Sequence, residues 1–195
     1  MHEQLIANIR KRVSVSPEEL ESIKHFFIPK KIRKRQYFLN AGDVTRHTAF
    51  VEKGLLRSFS IDDSAHEHVV QFAPEGWWIT DMCSFLSGDE AVYNIEALED
   101  SELLLLTKQA MDEMLEQHPK MERFFRLLMQ NSIIALQRRI VGTLSLSAEE
   151  KYKRMMHLYP DILQRAPQQH IASFLGITPE TLSRVRKQVS IGKQG

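Results

Sequence analysis

Glu180, Arg184 and Lys187 stand at i, i+4 and i+7 near the C-terminal end, a spacing that puts all three on one stripe of a helix. An acid and a guanidinium so placed can meet the edges of base pairs. Arginine donates as a fork to guanine O6 and N7, while glutamate accepts from the cytosine amino group. Thr181, Ser183 and Gln188 are the other outward polar residues of the stretch. A solvated helix face would show the same stripe, so the weight falls on the elements that must hold it.

Pro167 to Gln188 reads as two short helices joined by a tight turn. Ile171, Ala172, Leu175, Ile177, Leu182 and Val185 form the inward set, with Ala172 small enough for the point where the helices cross. Gly176 falls where the first helix ends and a left-handed residue is needed, a conformation that costs glycine no Cβ penalty. Thr178 is the expected N-cap of the second helix, with Pro179 at N1 and Ile177 and Leu182 as a hydrophobic staple. Turn, cap, staple and crossing alanine agree on one structure, a helix-turn-helix that presents its second helix to a major groove. Arg184 and Glu180 are then the expected base readers. Gln168, Thr178, Thr181, Arg186 and Lys187 are expected at the phosphates, where contacts carry affinity without sequence information.

The rest of the composition narrows the class. With 195 residues and 43% hydrophobic content the chain suffices for one large domain or two small ones. The absence of a long apolar run and of a signal-peptide core in MHEQLIANIRKR predicts a cytoplasmic protein without membrane attachment. Cys83 is the only cysteine, which excludes an internal disulfide and a four-cysteine cluster within one chain, and no cofactor or metal is expected. Net charge is +1, but from Ala166 onward four basic residues face one acid, leaving +3 there and −2 on the remainder. That asymmetry has the sign a nucleic-acid-binding end requires.

Taken in order, residues 2–12 and 16–27 read as helices, the second opened by a capping box of Ser16 and Glu19. The basic run Lys30 to Arg35 fits the start of a short solvated strand at least as well as a nucleic-acid patch. From Gln36 to Leu106 the pattern becomes YFL, TAFVEK, LLRSFSI, EHVVQFA, WWI, YNIEALE and SELLLL, punctuated by turn residues, which predicts an antiparallel barrel or roll. Thr107 caps a helix to about Gln117, and Pro119 opens a long one to about Leu144. Phe124, Phe125, Leu127, Leu128, Ile133, Ile134, Leu136, Ile140 and Val141 cannot share one stripe, so this helix needs a second partner. A second copy of itself is the economical choice, with Leu128 and Ile134 in a homodimer interface. Ser147 and Glu150 form another capping box before a helix to about Leu158. The expected fold is α+β, with a β-roll and flanking helices over 1–118, a long helix and hinge over 119–146, and a helix-turn-helix domain over 147–195.

This order of elements resembles the Crp/Fnr family of bacterial transcription regulators. Gly42, Gly54 and Gly76 match the turn glycines of its cyclic-nucleotide-binding-like roll, and Pro179-Glu180-Thr181-Leu182-Ser183-Arg184 is similar to the Glu-x-x-Ser-Arg pattern of the Fnr branch. The resemblance implies base contacts by Glu180, Ser183 and Arg184 at a TTGA-like half-site. It also implies double-stranded DNA, a second copy and RNA polymerase as partners, with a small-molecule effector in the roll. The effector segment departs from the family. Where cyclic-AMP-binding members carry Phe-Gly-Glu-Leu and then Arg-Ser/Thr-Ala, this chain has Trp78-Ile79-Thr80-Asp81 and Val92-Tyr93-Asn94-Ile95, and no arginine lies between Arg57 and Arg123. A cyclic phosphate buried there without a cation would be strongly disfavoured, so cyclic AMP is not the expected effector. Trp77, Trp78, Asp81, Tyr93, Leu136 and Gln137 are the candidate pocket residues for an unknown one, Leu136 and Gln137 standing where the family's long helix offers Thr and Ser to the adenine. The winged hairpin that follows the family's recognition helix is expected to be truncated after Gln188.

A rival of another class is a cupin-like metal enzyme using His66 and His68 on one strand face. Its third ligand is missing at the required spacing, the next acid being Glu75 across a Phe-Ala-Pro turn. For Trp77 and Trp78, adjacent strand residues point to opposite faces, so at most one can line a pocket, and filling the core is the simpler role.

Overall fold

The computed structural model of the chain describes residues 2–191. Two helices, α1 (Glu3–Arg10) and α2 (Pro17–Lys24), lead into eight strands: β1 (Ile28–Ile32), β2 (Tyr37–Leu39), β3 (His47–Lys53), β4 (Leu56–Ile61), β5 (Glu67–Ala73), β6 (Trp78–Ile79), β7 (Asn94–Ala97) and β8 (Ser101–Thr107). A short helix, α3 (Met82–Ser87), interrupts them, and α4 (Lys108–Gln117) and the 27-residue α5 (Pro119–Ser145) follow. Four more helices follow among the described residues: α6 (Ala148–Leu158), α7 (Pro160–Arg165), α8 (Gln168–Leu175) and α9 (Pro179–Ile191). None of the described helices is long and apolar enough to cross a membrane.

The strands form two four-stranded sheets, ordered β1-β8-β3-β6 and β2-β7-β4-β5, with antiparallel pairing. Because successive strand residues point to opposite faces, β3 and β8 divide their side chains between two cores. Ala49, Val51, Leu103 and Leu105 turn inward to Ile32, Leu56, Ile79, Ile95 and Ala97, closing the interior of the roll. Phe50, Leu104 and Leu106 point outward and are covered by Leu5, Ile9, Leu20, Ile23, Met114, Met121 and Phe124 of the flanking helices. Both capping boxes form: Ser16 with Glu19 opens α2 and Ser147 with Glu150 opens α6, while Thr107 caps α4.

The chain divides into two compact units, Met1–Ser60 with Phe72–Asn131, and Ile61–Gln71 with Ser132–Gly195. The tip of the β4–β5 hairpin therefore belongs with the second half of α5 and with α6 to α9. In this second unit Tyr152, Met155, Ile162, Ile171, Ala172, Leu175, Leu182 and Val185 make a small buried core.

As expected of a solvated strand entry, the basic run begins on β1, an exposed edge strand where Pro29, Lys30 and Lys31 discourage pairing with another chain, and continues into the following turn; Lys31 pairs with Glu102 at 3.0 Å. Other local features differ from the sequence expectation. Helix α3 is not foreseen, since six residues are too few to show a helical period; Asp81 starts it by accepting from the Ser84 N–H. Helix α9 runs past Gln188 to Ile191, and the expected truncation of the wing falls partly outside the described residues.

Candidate nucleic-acid interface

The α8–α9 pair is built as its residue types require. Gly176 has φ 64°, its N–H donates to Ser173 O at 3.0 Å, and the Ile177 N–H donates to Ala172 O at 3.0 Å, the paired bonds of a left-handed helix end. Two residues on, the Thr178 hydroxyl accepts from the Thr181 N–H at 3.2 Å and so caps α9. Ala172 and Leu182 are fully buried where the helices meet, with Ile171 and Val185 beside them.

With that face buried, Glu180, Ser183, Arg184, Arg186, Lys187 and Gln188 are exposed and Thr181 is half-buried. Among the described residues neither Arg184 nor Lys187 is held in an ion pair, so both cations face solvent. Glu180 behaves differently. Its own backbone N–H, and after it the Thr178 hydroxyl, hold its carboxyl below the usual carboxylate range. The acid is thus ionised and drawn toward the start of its helix. Thr178 is exposed, as is Gln168 in the first turn of α8, and Gln168 borders a shallow indentation with Tyr152, Leu163 and Arg186. All the residues expected to touch bases or phosphates lie on α8, on α9 or in the turn between them.

The candidate effector residues are not free for a ligand to the same degree. Trp78 is packed among Phe27, Phe50, Phe124 and Phe125 at ring distances of 5.3–6.4 Å, so it fills the helix-covered core rather than a pocket. Trp77, just before β6, is 38% exposed. Asp81 is buried with both oxygens occupied, one by the Ser84 N–H at 3.1 Å and the other by the Val92 N–H at 2.9 Å, which ties α3 to the following loop. Tyr93 is half-buried. Leu136 and Gln137 belong to the second unit and are exposed, Leu136 at 55%. Arg57, the last arginine before the gap, is buried and donates from Nε and Nη2 to Glu96 at 2.9 and 2.7 Å, stacked over the Phe59 ring. It is a structural ion pair.

The rival metal site does not assemble. His68 Nε2 lies 2.8 Å from Asp62 and His66 Nδ1 lies 3.6 Å from it, both rings exposed, and no group of three metal-ligating side chains occurs among the described residues. On α5, Ile134 is exposed, whereas Leu128 packs against the buried cluster between the roll and its flanking helices. The surplus apolar surface is Met129, Ile133, Leu136 and Ile140, at alternating steps of four and three, with Ile134, Val141 and Leu144 alongside.

Sequence patterns do not mark Ser173 or Arg139, yet each binds the hairpin backbone within the second unit. Ser173 Oγ accepts from the Val69 N–H at 2.9 Å and donates to Glu67 O at 2.7 Å, while Arg139 donates to the carbonyls of Val69 and Val70. These partners are separated by roughly seventy to a hundred residues in the chain, beyond any periodic signal.

Residues 29–118 match the family model described as the cyclic nucleotide-binding domain. Two relatives are similar along most of the chain. The regulatory protein HlyX of Actinobacillus pleuropneumoniae is 27% identical, covering 88% of this chain and 76% of that protein. The fumarate and nitrate reduction regulatory protein of Vibrio cholerae is 26% identical, covering 88% and 73%. The relatives are regulatory proteins by name, not enzymes. Among solved structures, FixK2 from Bradyrhizobium japonicum has a TM-score of 0.73 at 15% identity, covering 86% of each chain. The c-di-GMP responsive global regulator CLP of Xanthomonas campestris has a TM-score of 0.73 at 14% identity, covering 91% of this chain and 93% of that one. Both share the fold.

Proposed function

As a homologue of the Crp/Fnr transcription regulators with a cyclic nucleotide-binding domain over residues 29–118, this chain acts, we propose, as a dimeric regulator that reads an inverted-repeat DNA operator. The observation that carries the proposal is the capped α8–α9 pair with Glu180, Ser183, Arg184 and Lys187 all exposed on α9. In a dimer, two such helices related by a two-fold axis enter successive major grooves about 34 Å apart, so half-site centres fall roughly 10 bp apart or at a near multiple. Arg184 reads a guanine, Glu180 a cytosine amino group or its neighbour, and Ser183 a base edge between them. Lys187, Arg186, Gln168, Thr178 and Thr181 serve the phosphates. RNA polymerase is the partner through which binding is converted to regulation.

The roll operates without cyclic AMP. Supporting this, Arg57 is committed to Glu96 and Asp81 to two backbone N–H groups, so these two side chains are already engaged within the roll.

Selection of bound duplexes from a random pool by the purified protein tests the proposal; an inverted repeat of TTGA-like half-sites is the expected product. Arg184→Ala should then relax preference at one base position per half-site, costing about 1–3 kcal/mol of discrimination. Lys187→Ala should weaken binding to all sequences alike and lower the salt slope by about one unit per subunit. An unaltered base preference in Arg184→Ala would remove α9 from the role of reader.

A further inference from the structure

We propose that Ser173 and Arg139 are positioning residues that fasten α8, and through it the reading helix α9, to the β4–β5 hairpin and α5, and that this fastening sets the half-site spacing the dimer accepts. The inference rests on the DNA-reading function proposed above.

β5 is the outer strand of its sheet, with β4 as its one neighbour in the sheet order. Residues two apart on a strand present their amide groups to the same side, so Glu67 and Val69 offer a carbonyl and an N–H along one edge. Unsatisfied, such groups are costly to bury and open to pairing with another chain. Ser173 answers both. Its hydroxyl accepts from the Val69 N–H at 2.9 Å and donates to Glu67 O at 2.7 Å, the two bonds a further strand would have made. Arg139 adds a second attachment. Its guanidinium donates to Val69 O at 2.9 Å and to Val70 O, lies 4.4 Å over the Phe174 ring, and reaches Phe174 O at 3.5 Å. One side chain of α5 thus holds both the hairpin edge and α8. His170 Nδ1 stands 3.8 Å from Glu67 on the same face.

The consequence is geometric. Ser173 and Arg139 are not on the exposed stripe of α9, and the stripe stays exposed while the attachment is made. The attachment therefore does not mask the reader; it fixes the angle of α8 and α9 to α5. If α5 is the dimer seam, that angle determines the distance between the two reading helices. A freed helix-turn-helix would still read its half-site, but the pair would lose its set separation and with it the advantage of binding both half-sites at once.

Two measurements on the full chain test this. Amide exchange should find the Val69 N–H protected in the wild type and exchanging at least tenfold faster in Ser173→Ala, with Ser173→Thr, which keeps the hydroxyl, near the wild type. Binding is then measured to a single half-site duplex and to inverted repeats whose half-site separation is varied by one and two base pairs. Expected for Ser173→Ala and Arg139→Gln is unchanged single half-site affinity, a loss of about tenfold at the preferred separation as one or two hydrogen bonds go, and a flatter dependence on separation. An unchanged separation profile, or an equal loss on single and paired half-sites, would overturn the positioning role. If the wild type lacked sequence preference altogether, the DNA-reading proposal would fail while the exchange result still decided whether the fastening exists.

Discussion

At Gly54 the chain turns from β3 into β4 with φ 100°, and an added Cβ would stand 2.2 Å from Ser101 Oγ and 2.9 Å from Ser101 Cα. Ser101 is buried, so its backbone cannot step aside. Gly54→Ala should therefore cost at least about 1–3 kcal/mol from the left-handed conformation alone, and a melting curve should shift down by several degrees, about 2–4 °C per kcal/mol in a chain of this size. A second residue-scale expectation concerns Asp62 at the hairpin tip. The His68 side chain first, then the backbone N–H groups of His66 and Ser64, lower its carboxyl from 3.8 to about 2. A lowered folded-state pKa means that the contribution to tip order is full above the unfolded value and is lost as pH falls from about 4 through about 2. Observed by NMR, Asp62 should titrate near the low end of that window, and His68→Ala should bring it back toward 3.8. An Asp62 titration unaffected by His68→Ala would contradict the contact.

At the scale of elements, α5 carries a run of uncovered apolar side chains. Met129, Ile133, Leu136 and Ile140 repeat every three or four residues, the spacing that a two-stranded coiled coil requires, and each is at least 41% exposed. The dimer proposed for the chain is best tested here. Ile134→Glu or Ile133→Glu should convert dimers to monomers in sedimentation analysis without lowering the melting temperature of the roll. Leu128→Glu should do both, because Leu128 also packs on the buried cluster between the roll and its flanking helices. Dimers that survived Ile133→Glu and Ile134→Glu would place the seam elsewhere.

For the molecule as a whole, the proposed lack of a phosphate-binding cation predicts the ligand response. Titrating the protein with cyclic AMP in a calorimeter should give no heat of micromolar or tighter binding, and DNA affinity should not change with the nucleotide present. Tight binding would show that a cation outside the roll completes the site. Much of the fold and the reader was legible in the residues because the information is local. Caps at Ser16, Thr107, Ser147 and Thr178 and the turn at Gly176 each depend on neighbours within a few positions, and each is present. The sequence by itself determined the class of every long element and the exposed stripe Glu180, Arg184, Lys187, since periodicity and capping set which face is buried. Tertiary structure decided the rest. Trp78 chose the aromatic core over a pocket, Asp81 engaged both oxygens with backbone amides, Leu128 turned to its own roll, and Ser173 met a strand edge about a hundred residues away. Those outcomes depend on which distant groups arrive beside a side chain, and only the closed fold brings them there.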